Sequence, residues 1–321
     1  MRPLEGSAIR RRPVRFFSGG LGLAGDLYIP EDIAPAERRP AVVSCSGYQG
    51  LKDIHPARFA RVLVPDGYVC LAFDYRGFGN SEGEPGRIVP QEQVEDARSA
   101  VTFLETVPEV DPEQIALLGW ALGASVAVAV AADDARVCGV IALNAIGDGE
   151  RWMRSMHDER SWTELLQDIA EDRRRRAFGE KSELVHPLRI VRIDETTRRY
   201  VDKELHKVAG FGGGVTLESA DFLLRFRPEI VVDRVSPRPL LLIHGAENRL
   251  HVPEESRQLH RRAGEPTELV LLEDRGHTEW MLDDHPTFRY VVDLIRSFLR
   301  DSLVRWRMSG QTTTEVKVKE A

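Results

Sequence analysis

Cysteine is scarce in this chain, and long apolar runs are absent. Only Cys45, Cys70 and Cys138 occur among 321 residues, which is too few for a disulfide framework. Each lies in a short apolar run, so we expect three buried free thiols. No apolar stretch approaches the length of about 18 residues that a transmembrane helix needs. These absences argue against a disulfide-rich secreted module and against a helical membrane protein.

An excess of positive charge is also missing. The formal net charge is −7, so we expect no nucleic-acid partner. The basic run from Arg173 to Arg176 follows Glu171 and Asp172 and is typical of a solvated helix face. Residues 1–17 are rich in arginine but lack the apolar core of a secretory signal. We therefore predict a cytoplasmic protein with a small-molecule substrate and no membrane contact, and we leave open a homodimer.

Short apolar segments alternate with amphipathic ones through most of the chain. We predict a β-hairpin over 14–30 and further strands over 41–45, 68–73, 115–119, 137–143, 239–243 and 268–272. Helices are predicted over 57–64, 91–106, 253–263 and 286–299. Apolar strands in this order favour an α/β fold with a mostly parallel sheet of about eight strands, covered by helices on both faces.

The alternation is interrupted between residues 148 and 235. This stretch carries many charges and scattered aromatic residues, and its pattern is mainly helical. We predict a core formed by residues 1–147 and 236–308, with 148–235 as a helical cap over an active site. Residues 309–321 are polar and aperiodic, which predicts a flexible tail.

The pentapeptide Gly119-Trp120-Ala121-Leu122-Gly123 lacks the residue that its setting demands. It follows the apolar run 115–118 and precedes small helix-forming residues. A strand, a tight turn and a helix form the setting of the G-x-S-x-G nucleophile elbow, in which the central serine attacks the substrate. Here the central residue is Ala121, which has no oxygen.

Four other segments also match the sequence pattern of one enzyme family, and they occur along the chain in the order that this family uses. With them, the chain resembles an α/β-hydrolase, close to the dienelactone-hydrolase and acyl-peptidase-like branch. The segments are Gly47-Tyr48-Gln49-Gly50, Asp74-Tyr75-Arg76-Gly77-Phe78-Gly79-Asn80-Ser81, Pro237-Arg238-Pro239-Leu240-Leu241-Leu242-Ile243-His244-Gly245 and Gly276-His277.

The resemblance implies a catalytic site around position 121. His277 corresponds to the catalytic histidine, and imidazole suits a residue that takes and returns a proton. Its partner acid would be Glu247, which we favour, or Asn248, which stands where an aspartate is usual. The backbone N–H groups of Tyr48 and Leu122 would form an oxyanion hole.

Three tryptophans are candidates for an apolar substrate pocket, with core packing as the alternative: Trp120, Trp152 and Trp280. The spacing of His244, His251 and His260 matches no helical ligand pair, so we expect no metal. No cofactor is expected either.

Three interpretations of Ala121 stay open, of which we favour the first. The first is a hydrolase for a medium-sized ester, lactone, thioester or β-dicarbonyl compound, with its serine replaced. The chain as written would then be nearly inactive as a serine hydrolase, and serine at 121 would restore it. The second is a naturally non-hydrolytic lyase, isomerase or cyclase that uses His277 as acid or base. The third is a ligand-binding pseudoenzyme. The family often has histidine where Ser46 stands and aspartate where Asn248 stands, and these two further departures favour a natural sequence.

Overall fold

The computed structural model of the protein describes residues 8–311. Ten strands lie in this range: β1 Ile9–Ser18, β2 Leu21–Pro30, β3 Arg39–Cys45, β4 Val69–Phe73, β5 Val110–Trp120, β6 Val137–Leu143, β7 Leu184–Val185, β8 Val215–Thr216, β9 Leu240–Gly245 and β10 Thr267–Leu272. Ten α-helices accompany them: α1 His55–Leu63, α2 Pro90–Glu105, α3 Leu122–Asp133, α4 Gly149–Ser155, α5 Glu159–Ala177, α6 Pro187–Ile190, α7 Glu195–Glu204, α8 Glu218–Leu224, α9 Glu254–Arg262 and α10 Pro286–Gln311.

Eight strands form one sheet in the order β1-β2-β4-β3-β5-β6-β9-β10. Strand β2 is antiparallel to β1 and β4, and the other neighbouring pairs are parallel. Every residue of β4 and β6 is buried, as expected where helices cover both faces of a parallel sheet. The three cysteines are free and buried. The predicted α/β architecture is therefore confirmed.

The segment between β6 and β9, residues 148–235, is mainly helical, as its pattern predicts, and we call it the helical segment. Its longer helices begin at aspartates whose side chains accept backbone N–H bonds, a strong helix-start signal. Asp148 accepts from Arg151, Asp158 from Ser161 and Asp194 from Thr197, at 2.8–3.0 Å. The segment also contains a two-stranded sheet of β7 and β8, which the charged sequence did not predict. Its status as a separate cap domain stays a prediction.

The last helix is longer than predicted, because α10 continues to Gln311 instead of ending at 299. Residues 309–311 are thus helical, and the remainder of the predicted tail, 312–321, lies outside the described residues.

The parallel strands end at one edge of the sheet, which positions the site. β3, β5, β6, β9 and β10 all lie parallel to one another. The loops that follow their carboxyl ends therefore meet above this edge, where open α/β sheets bind ligands.

Candidate active site

A cavity of about 270 Å³ lies above the carboxyl edge of the sheet. The core contributes residues from the predicted site, and the helical segment contributes mostly apolar side chains. The core residues include Tyr48, Trp120, Ala121, Leu122, His251 and His277. The helical segment contributes Trp152, Pro187, Leu188, Val191, Ile193, Val201, Leu205 and Phe211. Such an apolar lining with few polar groups is typical of a small-molecule site.

The elbow has the strained backbone of a nucleophile turn although it carries no nucleophile. Ala121 has φ 56° and ψ −120°, which a residue with a side chain rarely adopts. Its N–H donates to the Leu143 carbonyl at 2.8 Å, which ties the turn to the end of β6. Helix α3 begins at Leu122, whose N–H belongs to the first turn and has no acceptor within the helix.

Gly123 lets the elbow approach the loop after β3. A Cβ at Gly123 would lie 2.2 Å from the Ser46 carbonyl oxygen and 2.4 Å from that of Cys45. A Cβ at Gly47 would lie 3.7 Å from the Ala121 Cβ, so the turn that carries Tyr48 is close to the elbow. The close approach of two backbones therefore brings the predicted N–H donors of Tyr48 and Leu122 to one end of the cavity.

Replacing Gly123 with alanine should destabilise the fold, because the new methyl group meets backbone atoms that cannot rotate away. We expect the free energy of unfolding to fall by about 1–3 kcal/mol, as for other overpacked sites. Urea denaturation measures the loss. Gly213→Ala is the matched control, since a Cβ there comes no closer than 3.8 Å to another atom. Equal effects of the two substitutions would contradict the prediction.

The structure joins His277 to Asn248 and not to Glu247, which corrects the sequence preference. Nδ2 of Asn248 lies 3.0 Å from Nδ1 of His277, and both side chains are buried. Glu247 is exposed, and its backbone N–H donates to the Arg275 carbonyl at 2.8 Å. Within the described part of the chain, no hydrogen bond links the Glu247 carboxylate to His277. The residue beside the histidine is therefore an amide, which carries no charge.

The hydrogen bonds of Asn248 fix the tautomer of His277. Oδ1 of Asn248 accepts from the backbone N–H groups of Leu250 at 3.1 Å and His251 at 2.9 Å. The amide oxygen therefore faces these donors, and the NH₂ group faces Nδ1 of His277. Turning the amide over would leave two buried N–H groups unpaired, at about 1–3 kcal/mol each. Nδ1 thus accepts, and the neutral ring carries its proton on Nε2.

A second imidazole, His251, lies beside His277 with the opposite tautomer. The two ring centroids are 4.5 Å apart. Nδ1 of His251 lies 2.7 Å from the Asn144 carbonyl, which can only accept, so this nitrogen carries the proton. The lone pair of His251 is therefore on Nε2. Sequence reasoning considered His251 only as a metal ligand, and its position three residues after Asn248 was the available signal.

Asn144 is the residue that connects these loops, and sequence reasoning missed it. Its Nδ2 donates to the His277 carbonyl at 3.1 Å, and its Oδ1 accepts from the Gly245 N–H at 3.0 Å. It is fully buried and has φ 51°. Asn144 directly follows β6 at the carboxyl edge of the sheet, which is the signal that could have identified it.

Burial keeps the histidines of this region neutral. Burial lowers the pKa of His55 and of His251 to about 3, and that of His244 to about 4. Burial also lowers the pKa of His277 well below its ordinary value, and the neighbouring His251, His55 and His244 lower it further. An unperturbed histidine titrates near pH 6.5. The three buried histidines of the cavity, His55, His251 and His277, are therefore neutral at physiological pH.

These lowered pKa values should make the fold less stable in mild acid. In the unfolded chain these histidines take up protons below about pH 6.5, whereas in the folded chain they stay neutral down to about pH 4. Their contribution to the free energy of unfolding is therefore complete above the unfolded pKa, and it decreases as the pH falls below that value. Each buried histidine contributes a slope of up to about 1.4 kcal/mol per pH unit. Urea denaturation between about pH 7 and about pH 5 measures the slope. His260→Asn, at an exposed site, should leave the slope unchanged, and a flat profile in the parent protein would contradict the prediction.

Two of the three predicted tryptophans line the cavity, and the third does not. Trp120 stacks on His55 with ring centroids 4.5 Å apart, and Trp152 donates from Nε1 to the Leu250 carbonyl at 3.1 Å. Trp280 is fully buried, packs 5.5 Å from Trp120 and is absent from the cavity lining. The described geometry therefore favours core packing, the alternative that the sequence left open, for Trp280.

Residues 8–311 contain no group of histidine, cysteine, aspartate or glutamate side chains arranged to hold a metal ion. Among the helices in this range, none has the length and apolar character needed to cross a membrane.

Comparison with known proteins agrees with the fold. The eight-stranded sheet, the turn at Ala121 and the loop at His277 define the protein as an α/β-hydrolase. A family model described as serine aminopeptidase S33 matches residues 36–281, so the chain belongs to this α/β-hydrolase family.

Similar proteins include a polyketide transferase and a thiohydrolase. Polyketide transferase ATR5 of Stachybotrys chlorohalonatus is 32% identical over 272 residues, which cover 80% of this chain and 86% of that protein. Thiohydrolase apmlB of Arthrinium phaeospermum is 28% identical over 302 residues, covering 87% and 93%. The crystal structure of the α/β hydrolase GrgF from Penicillium sp. sh18 has a TM-score of 0.76 and 25% identity, covering 92% of this chain and 99% of that one. This chain is thus related to hydrolase-fold enzymes.

Proposed function

We propose that this protein is a non-hydrolytic enzyme of the α/β-hydrolase fold. It binds a medium-sized, partly apolar acyl compound and acts on its carbonyl group as a lyase, isomerase or cyclase, without an acyl-enzyme. The observation that carries this proposal is the hydrogen bond from the Asn248 amide to Nδ1 of His277. Of the three interpretations that the sequence left open, this tautomer favours the second.

A serine hydrolase needs the reverse arrangement of protons. There the acid accepts a hydrogen bond from Nδ1, so the Nε2 lone pair can take the proton of the serine hydroxyl. In this protein Asn248 donates to Nδ1, and Nε2 of His277 carries a proton. The site therefore lacks both the nucleophile at Ala121 and the base that would activate one.

The same arrangement suits the polarisation of a carbonyl group. His277 Nε2–H has no hydrogen-bond partner within residues 8–302, and the side chain lines the cavity. Together with the N–H groups of Tyr48 and Leu122, it would donate to a carbonyl oxygen above Ala121. Each such donor contributes about 10²–10³-fold when negative charge develops on that oxygen. His277 then acts as a donor rather than as the general base of a triad.

The substrate class is supported by the cavity lining and by the relatives. The cavity wall from the helical segment is mostly apolar, which suits an acyl chain or ring, and it also carries polar residues such as Arg198 and Asp202. The two relatives are named a polyketide transferase and a thiohydrolase. We propose a thioester, lactone or β-dicarbonyl compound with residues 148–235 as the cap over it.

Binding and intact mass together test this proposal. The probes are hexanoyl, octanoyl and phenylacetyl thioesters of N-acetylcysteamine, and binding is followed by the fluorescence of Trp120 and Trp152, which line the cavity. We expect saturable binding with no acyl adduct in the mass spectrum. His277→Phe should weaken binding at least about tenfold, because it removes a hydrogen bond between neutral groups and leaves the carbonyl oxygen of the probe with one donor fewer. His260→Phe, on the exposed side of α9, is the control.

A stable acyl adduct on the parent protein would overturn the non-covalent mechanism. Failure of all probes to bind would overturn the proposed substrate class. Binding without any turnover of these or related acyl compounds would favour the pseudoenzyme interpretation.

A further inference from the structure

Two neighbouring imidazoles face this cavity with complementary hydrogen-bonding ends. His277 presents Nε2–H, and His251 presents an Nε2 lone pair, with ring centroids 4.5 Å apart and ring planes inclined at 43°. Each tautomer is fixed on its other nitrogen by a buried partner, Asn248 or Asn144. The site therefore holds one proton donor and one proton acceptor side by side.

The acceptor nitrogen of His251 is available to a ligand. The residue lines the cavity, and its Nε2 has no hydrogen-bond partner among the described residues. It is also not among the described polar atoms that are buried without a partner. Trp152 packs edge-on against the ring at 5.2 Å, and the bond to Asn144 holds its far side. The ring is thus fixed with its lone pair toward the cavity.

The other buried histidines of the region do not offer this arrangement. His244 uses both nitrogens, since Nδ1 accepts from the Ser256 hydroxyl at 2.7 Å and Nε2–H donates to the His251 carbonyl at 2.8 Å. His55 lines the cavity but stacks on Trp120, and its Nε2 is buried without a partner. Neither has a fixed lone pair facing the cavity beside a fixed donor.

We propose that His251 is the general base of this site and that the reaction begins with removal of a proton α to the carbonyl group of the substrate. This inference rests on the proposed function, in which His277 polarises that carbonyl. The C–H electron pair becomes the carbon–carbon π bond of the enolate, and the carbonyl π pair moves to oxygen. The proton goes to Nε2 of His251, which becomes an imidazolium. The enolate oxygen is held by His277 Nε2–H.

The charge balance of this step explains how a neutral, buried base can serve. In the empty cavity a charge on His251 would be isolated from water and unfavourable. When the proton moves, an enolate oxygen of opposite charge forms in the same cavity, and the pair attracts strongly at low effective dielectric. Return of the proton to the same carbon regenerates the substrate, and return to another position gives an isomer.

Exchange of the α-hydrogens with heavy water measures this step directly. Proton NMR follows the α-hydrogens of the phenylacetyl N-acetylcysteamine thioester with each protein variant, relative to buffer alone. We expect the parent protein to accelerate exchange and His251→Gln to lower the acceleration at least about 10²-fold, the usual contribution of a general base. His260→Gln is the matched control and should exchange like the parent protein. Saturating thioester, verified by a fluorescence titration of each variant, ensures that a loss of exchange is not a loss of binding.

A second variant tests whether the loss of exchange results from misfolding and not from the loss of the base. His251→Ala should lose exchange and regain it when imidazole is added, because the free base fits the space left by the ring. Exchange that persists in His251→Gln, or that is lost instead in His55→Gln, would overturn the assignment of the base. Binding of the thioester without exchange in the parent protein would overturn the proton abstraction and leave the binding role of His277 intact. Absence of binding would overturn both proposals.

Discussion

Serine at position 121 should not be enough to make this protein a serine hydrolase. In the Ala121→Ser variant the hydroxyl would face the protonated Nε2 of His277, because the Asn248 amide still donates to Nδ1. Adding Asn248→Asp reverses the tautomer, since a carboxylate accepts from Nδ1–H as well as from the two backbone N–H groups. We expect the double variant to react about 10⁴-fold faster than the single one, the factor that separates an acid from an amide in such triads.

The rate of labelling by a fluorophosphonate probe and the burst of p-nitrophenyl acetate hydrolysis measure this difference. Ala121→Ser combined with Glu247→Gln serves as the control, because Glu247 is exposed and its carboxylate makes no hydrogen bond to His277 within the described chain. That control should behave like Ala121→Ser alone. Rapid labelling of the single variant would show that Nε2 of His277 can supply a lone pair without an acid beside Nδ1. The tautomer assigned to His277 would then be wrong.

Removing Arg151 should cause the largest loss of stability. Its guanidinium bonds the fully buried Glu255 at 2.7 Å and Glu229 at 2.6 Å, at the point where the chain leaves β6 and enters the helical segment. Burial raises the pKa of Glu255, and the bonds from Arg151 and two backbone N–H groups oppose that rise. Without the arginine an uncompensated buried charge remains. We expect Arg151→Ala to lower the free energy of unfolding by about 3 kcal/mol, the lower end for a broken buried pair because Arg151 is partly exposed.

Urea denaturation at neutral pH measures this loss. Arg160→Ala is the matched control, since Arg160 pairs with Glu164 on the surface of α5 and its side chain is 89% exposed. The control should change stability by less than about 0.5 kcal/mol. The double variant Arg151→Met with Glu255→Gln should recover part of the loss, because it removes the charge and keeps an oxygen for the N–H groups. A loss in Arg151→Ala no larger than in Arg160→Ala would refute the role of this cluster.

The sheet and the elbow could be predicted from the sequence because they depend on local patterns. Apolar runs of strand length, separated by helical periodicity, dictate a parallel sheet, and glycines at 119 and 123 mark the turn. The choice between Glu247 and Asn248 depends instead on how one loop bends. The bond from the Glu247 N–H to the Arg275 carbonyl accompanies that bend. The family pattern does place Asn248 where an aspartate is usual, and the preference for Glu247 rested on its charge and its longer side chain.

The roles of His251 and Trp280 depend on distant contacts. The tautomer of His251 follows from a bond to Asn144, which is 107 residues away in sequence. Trp280 lies three residues after His277, yet its packing on Trp120 places it in the core. Residue type and spacing identify candidates of this kind, and only the surrounding packing assigns their orientation.

Asn144 makes hydrogen bonds to both His251 and His277 and so connects them to the sheet. Its carbonyl oxygen holds the ring of His251, its amide nitrogen holds the backbone of His277, and its own N–H donates to Ile243 in β9. The donor and the acceptor are thus anchored to the rigid sheet, and α6 and α7 of the helical segment supply only the facing wall of the cavity. A displacement of that wall to admit a ligand would leave the spacing of the two rings unchanged. The relative position of the two imidazoles therefore depends on the sheet and its loops, not on α6 and α7.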